Sequence, residues 1–358
     1  MDLKDKVKKL PSSPGVYLMK DSLGNVIYVG KSKNLKNRVR SYFQNLKSHS
    51  SKIMRLIKNI EDFDYILTDT EFEAFILECK LIKKIKPMYN KQMKNPKSYS
   101  YIKISINERY PGIEVSDELV ENDGTVYFGP YKSRNTVEKG LQGIKECCKI
   151  LCSSNSPKIS SCLNYSLGLC IGICLDSTPK EQYLTILNKI IKLLNGTDKS
   201  ILEKMKYKMS IFSEKLDFKN AAKYRDYISS VNYLLHNDKV IKFTEKNRNI
   251  ALLEYLNDNK AKFFLIKGNK LLFNKKYIIK DFGFENLKSI FRANILFYFN
   301  NKNAGNSIKI GKEEIDESQI VYTYLKNKSN NCKYVIILKK WINASDSQNI
   351  DNELDKLF

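Results

Sequence analysis

The sequence predicts an α+β protein: a small mixed-sheet domain with flanking helices, an α/β middle segment, a helical hairpin and a C-terminal α/β region. Three observations predict it. Residues 12–90 alternate strand and helix signals within the length of one small domain. Residues 180–236 carry helical periodicity throughout. Residues 263–273 read as a β-hairpin with Gly268-Asn269 at its turn. The expected boundaries are 1–95 for the first domain, 96–180 for a middle segment with a cysteine cluster, 181–240 for the helical region and 241–358 for the last region.

A chain of 358 residues has room for about two to four domains, and 42% hydrophobic residues suffice for packed cores. Lys and Arg total 62 against 39 acidic residues, a formal net charge of +23. That excess suits a polyanion such as nucleic acid, or an anionic membrane surface. The chain is also rich in Lys, Asn and Ile, and such a composition produces the same charge, so charge supports a nucleic-acid reading without deciding it. No apolar run approaches the ~18 residues that span a bilayer. Residues 1–10 are charged and lack the apolar core of a signal peptide, so the expectation is a cytoplasmic protein with no membrane partner. Eight cysteines in a reducing compartment point to free thiols or metal ligation. The only histidines are His49 and His236, so proton transfer falls to other side chains.

The first domain opens with Gly15-Val16-Tyr17 and Tyr28-Val29-Gly30, separated by the turn-rich Asp21-Ser22-Leu23-Gly24-Asn25. A turn centred between Ser22 and Leu23 places Tyr17 opposite Tyr28 and Gly15 opposite Gly30, with both phenols on one face. Alone, such a pair is better explained by packing that stabilises the hairpin. Lys31 follows at the open end of the second strand. A helix then begins near Asn34, with Leu35, Arg38, Val39 and Tyr42 on one face. Arg38 and Tyr42 are i,i+4 neighbours, and an Arg on an apolar face needs a partner, a role a phosphate fills. Residues 70–85 form a further amphipathic helix with a Thr70/Glu73 capping box. Within it Glu78 shares a face with Ala74, Leu81 and Ile82 and points inward. Either a neighbouring base or a cation neutralises it; a single carboxylate suits Mg²⁺, which keeps most of its waters.

Two later segments carry further signals. Cys152, Cys162, Cys170 and Cys174 lie in a loop-like stretch with Asn164, Gly168 and Gly172 between them. Thiolate ligation of zinc or an iron–sulfur cluster is one reading, free thiols the other. Residues 200–233 read as two antiparallel helices, one striped by Ile201, Met205, Met209 and Phe212, the other by Phe218, Ala221, Ala222, Arg225 and Ile228, joined near Lys215–Phe218.

These residues resemble a known family. The strings Pro14-Gly15-Val16-Tyr17, Ile27-Tyr28-Val29-Gly30-Lys31-Ser32-Lys33-Asn34-Leu35, Arg38-Val39-Arg40-Ser41-Tyr42, Glu73-Ala74-Phe75-Ile76-Leu77-Glu78 and Pro87-Met88-Tyr89-Asn90 are similar to the N-terminal GIY-YIG nuclease domain of the UvrC family of bacterial excinucleases. Lys97-Ser98-Tyr99 and Tyr127-Phe128-Gly129-Pro130-Tyr131 resemble that family's next landmarks, and the resemblance spans about residues 8–240. It implies phosphodiester hydrolysis with one divalent metal, Mg²⁺ or Mn²⁺, held by Glu78. Arg38 and Lys31 would neutralise charge on the attacked phosphate. Tyr17 or Tyr28 would orient or deprotonate the water, its pKa lowered by Lys31, Arg38 and the metal. Tyr42 and Asn90 would complete the site. The segment Cys162–Cys174 resembles the region where a [4Fe–4S] cluster is implied for Cys152, Cys162, Cys170 and Cys174. Residues 216–226 resemble the UVR motif, implying docking on UvrB through Phe218, Ala222 and Arg225.

The implied function is an excision-repair endonuclease that cuts lesion-bearing duplex DNA on the 3′ side together with UvrB, after UvrA has loaded it. A stand-alone GIY-YIG nuclease and a non-catalytic UvrB-binding module are the alternatives. Chains of this family continue into a second endonuclease and paired helix-hairpin-helix elements. No matching carboxylate cluster or glycine hairpins follow residue 248 here, so the sequence leads us to expect one cut of two. The role of residues 248–358 is not readable from sequence.

Overall fold

A computed structural model describes residues 3–44, 50–108, 111–151, 160–175, 180–300, 309–327, 331–343 and 347–358; His49 and Cys152 fall outside them. The chain divides into two units, one made of residues 1–95 with 243–358 and the other of 96–242.

In the first unit a short helix, α1 (Leu3–Lys8), precedes the hairpin of β1 (Gly15–Lys20) and β2 (Val26–Ser32). The connection is longer than a turn centred at Ser22 and Leu23. Asp21 Oδ1 accepts from the N–H groups of Leu23 (3.0 Å) and Asn25 (2.9 Å), and Gly24 takes φ +81°, closing a five-residue loop. Lys20 pairs Val26 while Met19 pairs Tyr28, so Ile27 forms a bulge. The register therefore pairs Tyr17 with Gly30 and Gly15 with Ser32, correcting the direct opposition expected of the two tyrosines. The slip is an even number of residues, which preserves the face. Tyr17 and Tyr28 end as diagonal neighbours, their ring centroids 6.2 Å apart.

Helices α2 (Leu35–Phe43) and α3 (Ser51–Lys58) lead to β3 (Asp62–Leu67), which pairs the other edge of β1. The order is β2-β1-β3, and every pairing is antiparallel. The sheet is thus not mixed: β1 is central and both neighbours run against it. Tyr17, Met19 and Phe63 pack with Leu35, Val39 and Tyr42 on one face. Val16, Leu18 and Val29 on the other face pack with Ala74 and Ile82 of α4 (Glu71–Ile85). The Thr70/Glu73 capping box opens α4 as the sequence predicts, and Lys86 ends it in the left-handed region at φ +54°.

The second unit begins with β4 (Ser100–Ser105), β5 (Gly112–Ser116) and β6 (Val126–Tyr131), an antiparallel sheet of order β5-β4-β6. Helices α5 (Arg134–Cys147), α6 (Leu163–Ser166), α7 (Lys180–Leu194), α8 (Ser200–Glu214) and α9 (Phe218–Glu245) follow. Ile102 and Ile104 of β4 share a core with Leu141, Ile144, Leu187, Ile190, Met205 and Leu234. Glu146 binds α9 through Lys223 Nζ (2.9 Å) and the hydroxyls of Tyr224 (3.2 Å) and Tyr227 (3.3 Å). Gly143 lets Tyr227 approach, since a Cβ there would lie 2.6 Å from the ring.

The C-terminal part of the first unit holds β7 (Asn249–Asn257), β8 (Lys260–Lys267), β9 (Lys270–Ile278), α10 (Ile279–Phe282), α11 (Phe284–Phe299), α12 (Ile315–Lys326), β10 (Cys332–Ile337), α13 (Lys339–Asn343) and α14 (Ser347–Leu354). The hairpin turn falls at Gly268-Asn269 as expected, with Gly268 at φ +60°. Its sheet, β10-β7-β8-β9, is also antiparallel throughout, so neither this region nor residues 96–180 is of the parallel α/β type. Short connections enforce that sense for the β7–β8 and β8–β9 pairs. Leu253, Phe263 and Leu265 face Phe291, Ile295 and Ile350. Ile250, Leu252, Phe264 and Ile266 on the opposite face pack with Phe72, Ile76 and Cys79 of α4 and with Ile320 and Val321 of α12. Complete burial of each large apolar side chain stabilises by about 1.5–3 kcal/mol, so this face holds α4 firmly.

Candidate functional site

Three phenols and a guanidinium meet at the open side of the first hairpin. Tyr17 and Tyr42 share a hydrogen bond of 2.8 Å between their hydroxyls. Arg38 Nε donates to Tyr17 Oη and Nη2 to Tyr42 Oη, each at 3.4 Å, and the guanidinium stands 5.1 Å from the Tyr42 ring centre. Tyr28 lies against Tyr42 with ring centroids 6.4 Å apart. Asn34 caps α2 by accepting from Asn37 N–H, which sets the phase that turns Tyr42 inward and lays the exposed Arg38 against the phenols. Gly30 makes room for the cluster: a Cβ there would lie 2.3 Å from Tyr17 Oη and 2.4 Å from Cζ.

Helix α4 supplies the acidic side. Glu78 Oε1 accepts from Lys31 N–H at 3.0 Å, and its other oxygen takes no hydrogen bond among the described residues. Lys31 Nζ does not point at a bare cleft. It bonds Glu71 at 2.7 Å and sits 3.6 Å over the Phe75 ring. Glu71, Phe75 and Glu78 stand at i, i+4 and i+7, within an arc of about 60° on one side of the helix, and all three meet Lys31. Sequence reasoning missed Glu71 and Phe75; that spacing beside the inward Glu78 was the signal for them. Asn90 is buried and clamps β2 with both ends of its amide: Nδ2 donates to Val29 O and Oδ1 accepts from Val29 N–H, each at 2.9 Å. Its contacts are thus to backbone and serve to position the strand.

The electrostatics differ from expectation in one respect. Burial, then Tyr42 and Tyr28, hold the Tyr17 phenol well above its ordinary range, and Arg38 offsets this only in part. Burial, with Tyr42 and Glu78, raises Tyr28 likewise. The lowered phenol pKa anticipated from Lys31 and Arg38 is therefore not produced by these side chains: Lys31 is already neutralised by Glu71, and desolvation outweighs Arg38. Burial also raises Glu78, while the Lys31 N–H and the charges of Lys31 and Arg38 pull it back. Carboxylate, guanidinium and phenols therefore share one field. A largely buried carboxylate with an oxygen free of donors is a suitable ligand for a hard cation that brings its own waters.

Other expected site residues lie elsewhere. Cys170 and Cys174 are buried and Cys162 is half-buried; Cys170 Sγ accepts from Gly172 N–H at 3.4 Å. Among the described residues no group of three or more His, Cys, Asp or Glu side chains is placed to hold a metal ion. At the tip of the α8–α9 hairpin Leu216 takes φ +57°, and Asp217 accepts from Asn220 N–H at 3.1 Å to start α9. Phe218 there is 66% exposed, beside Leu216 at 72%. Arg225 is exposed and bonded to Asp226, and Ala222 is half-buried. Among the described residues no helix is long and apolar enough to cross a membrane.

The hairpin, the Arg38–Tyr42 helix and the Glu78 helix together define a GIY-YIG domain. The model of the UvrC-like GIY-YIG domain matches residues 13–91, that of the UvrC/Cho excinuclease middle domain residues 99–193, and that of the UvrB/uvrC motif residues 199–234. The chain belongs to the UvrC family. It is 38% identical over 353 residues to the UvrABC system protein C of Clostridium perfringens strain 13, covering 95% of this chain and 56% of that one. It is 35% identical over 346 residues to that of Acetivibrio thermocellus, covering 95% and 55%. It thus spans about half the length of the curated relatives it matches. The magnesium-bound crystal structure of the GIY-YIG N-terminal endonuclease domain of UvrC from Thermotoga maritima is 40% identical, covering 25% of this chain and all of that one, at a TM-score of 0.23.

Proposed function

We propose that this chain is a metal-dependent DNA endonuclease of nucleotide excision repair, acting in the cytoplasm, which makes the 3′-side incision at lesion-bearing duplex together with UvrB after UvrA loading. The observation that carries this reading is the convergence of Arg38, Tyr17 and Tyr42 with a Glu78 carboxylate fixed by Lys31 N–H. Glu78 holds the cation, Mg²⁺ or Mn²⁺. The ion, when bound, supplies a Lewis acid and a water of lowered pKa. Among the described residues Arg38 uses two of its donors, at 3.4 Å, on phenols, so its fork is available to a phosphate whose charge grows during attack. Tyr17, Tyr28 and Tyr42 form a relay of hydroxyls that orients the attacking water. With Tyr17 and Tyr28 protonated well above neutral pH, they are hydrogen-bonding groups first, and whichever acts as base does so only near the cation. Lys31 braces Glu78, and Asn90 holds β2.

The test is incision of a lesion-bearing duplex in Mg²⁺ with and without UvrA and UvrB. Cleavage that requires both partners is the expected result, and Arg38→Ala lowers it by about 100- to 1000-fold. Cleavage without partners points to a stand-alone nuclease, and no cleavage to a binding module. The exposed tip of the α8–α9 hairpin supports UvrB docking. Phe218→Ala combined with Arg225→Ala weakens UvrB binding by about 30-fold, the effect of losing one hot spot. Unchanged affinity in a titration would remove that assignment.

A further inference from the structure

Helix α4 has two working stripes. One carries Glu71, Phe75 and Glu78 toward Lys31. The other carries Phe72, Ile76, Cys79 and Lys83, at i, i+4, i+7 and i+11, and every member meets the C-terminal part of the same unit. Phe72 packs edge-on against Phe264 (5.4 Å between centroids) and stacks on Tyr324 (4.6 Å). Ile76 and Cys79 join the core of β7, β8 and α12. Lys83 Nζ bonds Glu317 on α12 at 2.6 Å.

The start of the helix is held most tightly. Lys262 on β8 is buried, at 6% exposure, yet charged. It bonds Asp69 at 2.7 Å and Glu73 at 2.9 Å. Glu73 is also the far half of the capping box, its other oxygen accepting from the N–H groups of Asp69 (3.1 Å) and Thr70 (3.2 Å). Lys276 binds only the remaining oxygen of Asp69, from an exposed position. Without Lys262, two neighbouring carboxylates at the helix start lose the charge that reconciles them.

We propose that residues 243–358 act as a positioning element for the site: the C-terminal sheet and α12 grip the outer stripe of α4, and Lys262 fixes the helix start, so that Glu78 is presented at the correct depth beside Lys31. A catalytic constellation tolerates displacement of only about 0.5 Å, and a helix gripped along its outer stripe meets that demand. Lys262 touches neither metal nor DNA; it is a positioning residue. The proposal rests on Glu78 being the metal ligand.

The experiment uses the 358-residue chain, with Mn²⁺ alone as probe, read by electron paramagnetic resonance, alongside amide hydrogen exchange. Lys262→Met quickens exchange across residues 71–82 and weakens Mn²⁺ binding on the order of tenfold, the low end for groups that support a metal ligand. Lys262→Arg, whose fork can still span Asp69 and Glu73, restores both. Asp69→Asn reproduces the loss from the other side if Lys262→Met folds poorly. Unchanged exchange overturns the proposal. Faster exchange with unaltered Mn²⁺ affinity overturns it too, because the grip would then serve stability alone. If Glu78→Gln leaves Mn²⁺ binding intact, the metal reading of the site fails separately, and exchange alone decides whether the grip exists.

Discussion

Glu78→Gln lowers DNA incision by more than about 100-fold and raises the thermal midpoint of the metal-free protein. The first effect follows from removing the proposed metal ligand, a larger insult than the loss of an outer group that supports one. The second follows from burial. Glu78 has its pKa raised in the folded state, chiefly by desolvation. A carboxyl raised on folding contributes stability that is fully present below its unfolded pKa and is lost as pH rises through the folded value. At neutral pH the wild-type chain therefore carries an ionised, largely buried carboxylate at a net penalty. Glutamine removes the charge, and its oxygen can still accept from Lys31 N–H. Calorimetry across pH checks the sign: the advantage of the variant is greatest at neutral pH and shrinks as pH falls through the raised value. A lower midpoint at neutral pH, or incision at the wild-type rate, contradicts the assignment.

Gly30→Ala has the second large effect, although glycine to alanine adds one methyl group. That methyl would fall 2.3 Å from Tyr17 Oη. Tyr17 is fully buried, so its ring has no open space into which to retreat. Either β2 or the ring shifts, and both disturb the Tyr17–Tyr42 hydrogen bond and the seat of Arg38. Overpacking of this kind destabilises by about 1–3 kcal/mol. Displacing a catalytic group by ~1 Å lowers rate on the order of 100-fold. Incision measured well below the melting temperature separates the two. A variant that melts early yet cuts normally would show that the phenol cluster is structural.

Much of this site is legible in the sequence because its parts are local. The hairpin, the phase of α2, the capping box of α4 and the inward Glu78 all come from spacing within one or two elements. The exact pairing of the tyrosines does not, because Asp21 turns a short turn into a five-residue loop and Ile27 absorbs the difference; the even slip keeps the phenols together. Spacing does not reveal that Lys31 Nζ bonds Glu71, because that partner is 40 residues away in the chain. The same holds for Asn90: nothing in its sequence neighbourhood reveals that its amide bonds both backbone groups of Val29. The docking of the C-terminal sheet on α4 involves still longer separations. One clue to it exists in the sequence. Phe72, Phe75, Ile76, Leu77, Cys79, Leu81 and Ile82 wrap more of α4 than a helix with one covered face needs, which implies a second covering layer.

The same docking has a consequence for how the chain is made. Lys262 and Asp69 are 193 residues apart, with the whole second unit encoded between them. At about 5–20 residues per second, roughly 10–40 s separate the synthesis of α4 from that of its outer partner. Throughout that interval Phe72, Ile76 and Cys79 have no sheet to cover them. The nascent first domain must therefore keep an apolar stripe out of wrong associations while an entire second unit is translated, and its core closes only when β8 returns to the helix that bears Glu78.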